Sequence, residues 1–221
     1  MARPKSGYRL ANGQPVPGVT TVIKTLSESE GLIHWAWGLG KKGVDYRAVR
    51  QKAADVGTLT HDLIEAHLRG TTPPTCKDKD MLAKAVRAFD SWQSWFDGQD
   101  IRVQAFERPL VSEAHGFGGT IDATGLSYDS TFLLVDWKTS KRLYAEYLAQ
   151  IGGYAILLAE NEIAQPKGAV LMRADKEKDM TWDVLRLDHS QLRSAGNAFL
   201  SALSAYKARE RMKSLLNTLE K

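Results

Sequence analysis

The apolar run Phe132-Leu133-Leu134-Val135 ends on Asp136-Trp137-Lys138, and this junction constrains the chain more than any other stretch. Four large apolar residues in a row read as a buried strand. Two charges at the tip of such a strand need a reason, because burying a charge is costly unless it is paired or metal-bound. Residues two apart on a strand share a face, so Asp136 and Lys138 point to the same side. One could ligate a metal while the other meets a phosphate or a water. On the triplet alone, a strand-end salt bridge is the simpler reading, since short patterns of this kind arise by chance. It is nonetheless the only [D/E]-x-K triplet in residues 1–219.

The periodicity on either side sets the frame for that strand. Residues 1–20 are rich in proline and glycine and read as turns and extended segments, with a short strand or helix start in PGVTTVIKTL. Helical signals follow. Ser27 or Ser29 can cap a segment carrying Leu32, Ile33, Trp35, Ala36, Trp37 and Leu39. Residues 44–69 suit one or two helices, and residues 78–97 have apolar positions at a helical period. After Gly98 the pattern changes. Residues 101–112, 117–126 and 131–137 predict three strands in an antiparallel meander, with a hairpin-like connection through Tyr128, Asp129 and Ser130. A helix over 144–160, strands over 167–173 and 181–187, and a helix over 189–218 complete the chain. No repeat or linker is visible. The expectation is one domain over residues 1–221: a mainly helical part to residue 100, a sheet core over 101–190, and a C-terminal helix over 191–221. The class is α/β, with N-terminal helices added to a sheet core.

Three further groups bear on chemistry. In Gly118-Gly119-Thr120-Ile121-Asp122, the aspartate sits fourteen residues before Asp136 on a neighbouring strand. Two carboxylates so placed can share a hard divalent cation; a turn aspartate beside a glycine-rich bend is the plain alternative. His61 and Glu65 are one helical turn apart and face the same way. His61 could join a metal shell, with Glu65 orienting it or touching a metal-bound water; otherwise they are a surface pair. Gln150 and Tyr154 also lie one turn apart, where an amide and a phenol can bond a phosphate or a base. The Gly152-Gly153 pair between them disfavours helix, which implies close packing against the sheet.

Composition narrows the function classes. With 43% hydrophobic and 25% charged residues, the chain has the material for a buried core. A single cysteine, Cys76, rules out an internal disulfide and a cysteine-based zinc site. The stretch MARPKSGYRLANGQPVPG lacks the apolar run of a signal peptide, and no segment is apolar enough to span a bilayer. A reducing cytoplasm and no membrane partner are therefore expected. The net charge of +4 permits a polyanionic partner without identifying one. The excess is concentrated in residues 1–60, where nine Lys/Arg stand against four Asp/Glu. There, Lys41, Lys42, Arg47, Arg50 and Lys52 favour backbone phosphates. Trp35 and Trp37 could stack on unpaired bases, although a place in the core is the stronger expectation for both. The basic residues around Lys207 and Arg211 read as a solvated helix face.

Taken in order, G-x-x-x-H-x-x-x-E at 57–65, G-x-x-D at 119–122, V-D-W-K-T-S at 135–140 and Q-x-x-x-Y at 150–154 resemble the PD-(D/E)XK nuclease superfamily. The likeness is strongest to its RecB-like branch of phage-type exonucleases and spans roughly residues 16–160. It implies a restriction-endonuclease-like core, a mixed central sheet flanked by helices. It implies that Asp122 and Asp136 bind a catalytic Mg²⁺ or Mn²⁺ together with His61, and that Trp137 can offer its carbonyl. Lys138 matches the lysine that positions or polarises the attacking water. Gln150 and Tyr154 match a DNA-contacting motif, and Lys141 and Arg142 stand ready for phosphate. A glutamate role falls to Glu65 or to Glu107.

The expected activity is metal-dependent hydrolysis of DNA from single-stranded or duplex ends, in a bacterial cell or phage-infected host, in phage-type recombination, repair or replication. A homo-oligomer or a recombination partner protein stays open. The alternatives are a structure-specific endonuclease on the same core and a DNA-binding protein with a relic site.

Overall fold

The computed structural model describes residues 4, 6–27, 29–127, 129–161 and 164–220. The chain opens with a two-stranded hairpin, β1 (Tyr8–Arg9) and β2 (Pro15–Val16), then a short helix α1 (Val19–Val22) and a 3-10 turn over Ile23–Thr25. Three helices follow: α2 (Ser29–Gly40), α3 (Tyr46–Arg69) and α4 (Lys79–Asp97). The long pattern at 44–69 is thus one helix. Asp45 caps its start by accepting from the Arg47 amide, and Gly70 ends it in the left-handed conformation. Asp78 caps α4 through the amides of Asp80 and Met81. The start of α2 falls at Ser29, whose side chain lies outside the described residues.

The sheet is built from β3 (Ile101–Ser112), β4 (Phe117–Ser127), β5 (Phe132–Lys138), β6 (Gly168–Ala174) and β7 (Trp182–Asp188), in that spatial order. The first three pair antiparallel, as a meander. Tyr128, in the connection between β4 and β5, lies outside the described residues. Helix α5 (Ala145–Glu160) then carries the chain across to β6, which runs parallel to β5, and β7 returns antiparallel. The chain ends in α6 (His189–Leu219), started by a capping box between Asp188 and Gln191.

Helices cover the mixed sheet on both faces. Ile121, Leu134 and Leu171 pack with Ile151 and Leu157 of α5 and Phe199 of α6. Ala123, Val135, Trp137 and Met172 pack on the other face with Ile64 of α3 and Trp92 of α4. The glycine pair in α5 corrects one expectation: its close packing is against α6, not the sheet. A Cβ on Gly152 would lie 2.2 Å from the backbone carbon of Ala195, and one on Gly153 would meet the Phe199 ring at 2.9 Å. These two glycines let the helices cross nearly backbone to backbone. No helix among the described residues is long and apolar enough to cross a membrane.

Candidate active site

Strand register brings three carboxylates into one row. The β4–β5 ladder runs from Leu126↔Phe132 to Ala123↔Val135, so the next step along both strands sets Asp122 beside Asp136. The β3–β4 ladder pairs Phe106↔Ala123 and Arg108↔Ile121, which sets Glu107 beside Asp122. Face alternation breaks at this row. Gly119 and Ile121 lie toward α5, whereas Ala123 lies toward α3 and α4. Glu107 has φ +48°, a left-handed conformation that a side chain adopts at a cost of roughly 1–2 kcal/mol.

Helix α3 supplies the fourth group. His61 Nδ1 lies 3.9 Å from Asp122 Oδ1 and 4.0 Å from Glu107 Oε1. Ligand-type atoms of these three residues all lie within 4.8 Å of one another. Gly57, one turn before His61, makes the approach of α3 possible, because a Cβ there would sit 3.0 Å from Thr139 Oγ1 at the end of β5. Burial alone would lower the His61 pKa, but the charge of Asp122 and the hydrogen bond to Glu107 outweigh it, so the imidazole titrates above its usual value.

Asp136 and Lys138 form the second half of the site. Asp136 is fully buried, and Lys138 Nζ lies 2.5 Å from its Oδ2. Among the described residues, Oδ1 has no hydrogen-bond partner. Burial raises the Asp136 pKa; Lys138 opposes the rise and Asp122 adds to it. Burial by itself would lower the Lys138 pKa, yet the charges of Asp136 and Asp122 raise it, so the ammonium stays protonated. The Lys138 ammonium also lies 5.3 Å from the centre of the Tyr147 ring.

His61, Glu107, Asp122 and Lys138 open onto a cavity of about 440 Å³, whose wall also includes Gln150, Tyr154 and Glu65. Gln150 and Tyr154 are buried, and the amide donates to the phenol oxygen at 2.8 Å. Gly119 leaves the space that the Tyr154 ring fills, since a Cβ there would come within 2.8 Å of it. Burial, together with the charges of Asp122 and Asp136, raises the Tyr154 pKa well above that of an ordinary phenol, so it remains a hydroxyl donor. Glu65 lines the cavity but holds Arg69 at 2.8 Å and is outside the His61–Glu107–Asp122 group.

The Trp137 amide donates to Asp122 Oδ2 at 3.2 Å, while its indole packs among His61 and Trp92 on the far face. Lys141 and Arg142 are exposed beyond β5 and do not line the cavity; the Arg142 guanidinium lies over Tyr144 instead. Some wall residues are not singled out as site candidates by the sequence. Tyr8, Val19 and Thr20 come from the turn-rich N-terminal segment, whose pattern does not point them at the site. Tyr8 reaches the sheet because Gly118 has no Cβ to collide with it, and its hydroxyl meets Thr120 Oγ1 at 2.9 Å.

The donor set fits a divalent cation. Glu107, Asp122 and Asp136 face one lysine, leaving an excess of negative charge around a buried carboxylate oxygen without a partner. Oxygen donors with one imidazole suit a hard or borderline ion.

The sequence model of the PD-(D/E)XK nuclease superfamily matches residues 34–219. Among curated proteins, nothing matches. Among solved structures, the chain is similar to an alkaline exonuclease, LHK-Exo, from Laribacter hongkongensis, at 17% identity over 75% of this chain and 92% of that one, with a TM-score of 0.35. LHK-Exo in complex with dAMP gives 16% identity over 75% of this chain and 92% of that one, with a TM-score of 0.36. A protein from Eubacterium rectale gives 13%, covering 66% of this chain and 64% of the other, with a TM-score of 0.44.

Proposed function

Because the chain belongs to the PD-(D/E)XK nuclease superfamily, we propose that this row of acids is the active centre of a Mg²⁺- or Mn²⁺-dependent DNA exonuclease. The observation that carries the reading is Asp136: a fully buried carboxylate with an unpartnered oxygen, one strand from the His61–Glu107–Asp122 group. Asp122, Asp136 and Glu107 from the sheet and His61 from α3 would hold the ion, and the Trp137 carbonyl is a further ligand-type group on β5. When bound, such an ion polarises a water and neutralises charge on a phosphate.

The chain's own residues then divide the work. Lys138 stays protonated and places a fixed positive charge where charge builds on the phosphate. A protonated ammonium cannot accept the proton of an attacking water, so its role is electrostatic and orienting. Asp136 fixes the position of that ammonium. The Tyr154 hydroxyl, held by Gln150, is a donor for a phosphate oxygen or a base edge, and Lys141 and Arg142 lie outside to meet the outgoing strand. Glu65 holds Arg69 at the cavity wall and stands outside the His61–Glu107–Asp122 group.

The test is incubation with end-labelled linear single- and double-stranded DNA and with closed circular DNA, with and without Mg²⁺ or Mn²⁺. Degradation of linear DNA alone is the expected result. Cutting of circles would replace the exonuclease with an endonuclease on the same core, and binding without cleavage would leave a relic site.

A further inference from the structure

Helix α2 is apolar in composition yet leaves its large side chains in water. Trp37 is 63% exposed and Trp35 38%, against the expectation that both enter the core. Trp35 meets the Tyr46 ring edge-on at 6.2 Å. A cation lies over one of these rings. Lys41 Nζ lies 4.4 Å from the centre of the Trp37 ring. Lys42, Arg47 and Arg50 are exposed close by, and none of these four is paired with a carboxylate among the described residues. Lys52 is different, because Asp78 and Asp80 already neutralise it.

The cations also have a direction. Arg47, Arg50, Thr58 and His61 fall on one stripe of α3 at helical spacing, and Thr58 and His61 line the active-site cavity. From Arg47 to His61 the helix advances about 21 Å. A chain with an end in the cavity would therefore run back along this stripe to Arg47, whose guanidinium lies over the Tyr46 ring that Trp35 meets edge-on.

We infer that α2 and the first turns of α3 form a docking track for single-stranded DNA. Trp35 and Trp37 stack on unpaired bases, and Lys41, Lys42, Arg47 and Arg50 hold the backbone phosphates. This rests on the nuclease reading of the cavity. Exposed aromatic rings beside cations without carboxylate partners suit a ligand that carries both bases and phosphates. An anionic lipid surface would also take exposed tryptophans and lysines, but it has no use for a charge row that ends in a cavity.

The experiment measures binding of fluorescein-labelled dT12 to the full chain in EDTA, where the metal-dependent reaction is off. Trp35→Ala/Trp37→Ala should weaken binding by at least roughly tenfold. Lys41→Gln/Lys42→Gln should flatten the dependence of log K on log salt by about 1.4; this reading does not depend on the tryptophan variant folding. Equal affinity and an unchanged salt slope would overturn the track. So would tryptophan-dependent binding to phosphatidylglycerol vesicles with no such dependence for dT12. Mn²⁺-dependent cleavage of linear DNA, assayed in parallel, separates the two readings. Cleavage with tryptophan-independent binding removes the track alone, and tryptophan-dependent binding without cleavage removes the nuclease reading alone.

Discussion

Glu107 offers a sharp test of whether the site is held under strain for its chemistry. Its backbone sits at φ +48° in the middle of β3, where glycine is comfortable and other residues are not. Two substitutions remove the carboxylate equally: Glu107→Ala keeps the strain and Glu107→Gly relieves it. At an ordinary strand position glycine is less stable than alanine by roughly 0.5–1 kcal/mol. In the left-handed region the alanine cost of about 1–2 kcal/mol reverses that order. The net expectation is a glycine variant about 1 kcal/mol more stable than the alanine variant. For a chain of this size that is about 2–4 °C in Tm. Thermal melts in chelator, followed by circular dichroism, read the difference. Both variants should lose metal-dependent stabilisation and cleavage together. A glycine variant that melts at or below the alanine variant would refute the claim of stored strain at this position.

Other outcomes follow from the same geometry. Saturation with Mn²⁺ at about a hundredfold over Kd should raise the Tm of the wild-type chain by roughly 5–10 °C. That shift should vanish in Asp122→Ala and persist in Glu65→Gln; loss in the latter would move the glutamate role to Glu65. Gly152→Ala drives a Cβ into the Ala195 backbone and should cost about 3 kcal/mol or more in urea unfolding. Gly196→Ala, with nothing nearer than 3.7 Å, should instead gain up to about 1 kcal/mol from helix propensity. Gly119→Ala should displace the Tyr154 ring and weaken DNA binding in EDTA, while Gly98→Ala, at the exposed end of α4, should not.

Much of this arrangement is legible in the amino-acid order, for physical reasons. The strand and helix periods are strong from residue 101 onward, and the elements there begin and end within a residue or two of the pattern. Asp122 and Asp136 are legible as neighbours because a short connection between two strands fixes their register. Glu107 is legible only as one of two candidates beside Glu65, because its turn toward His61 depends on a backbone conformation that no residue type announces. Gly152 signals close packing but not its partner, which comes from a helix more than forty residues later. Trp35 and Trp37 mislead for a different reason. Apolar composition alone reads as core, and only the absence of a covering element among the described residues shows them exposed.

The central claim is that Asp136 and Lys138 serve a metal-dependent reaction and are not a strand-end ion pair. Hydrolysis of end-labelled linear DNA in Mg²⁺ or Mn²⁺ should be compared for the wild-type chain, Asp136→Ala and Lys138→Ala, each checked for an unchanged fold by circular dichroism. The account predicts metal-dependent cleavage by the wild type and a loss of about a hundredfold or more in each variant. A folded variant that cuts as fast as the wild type would contradict it.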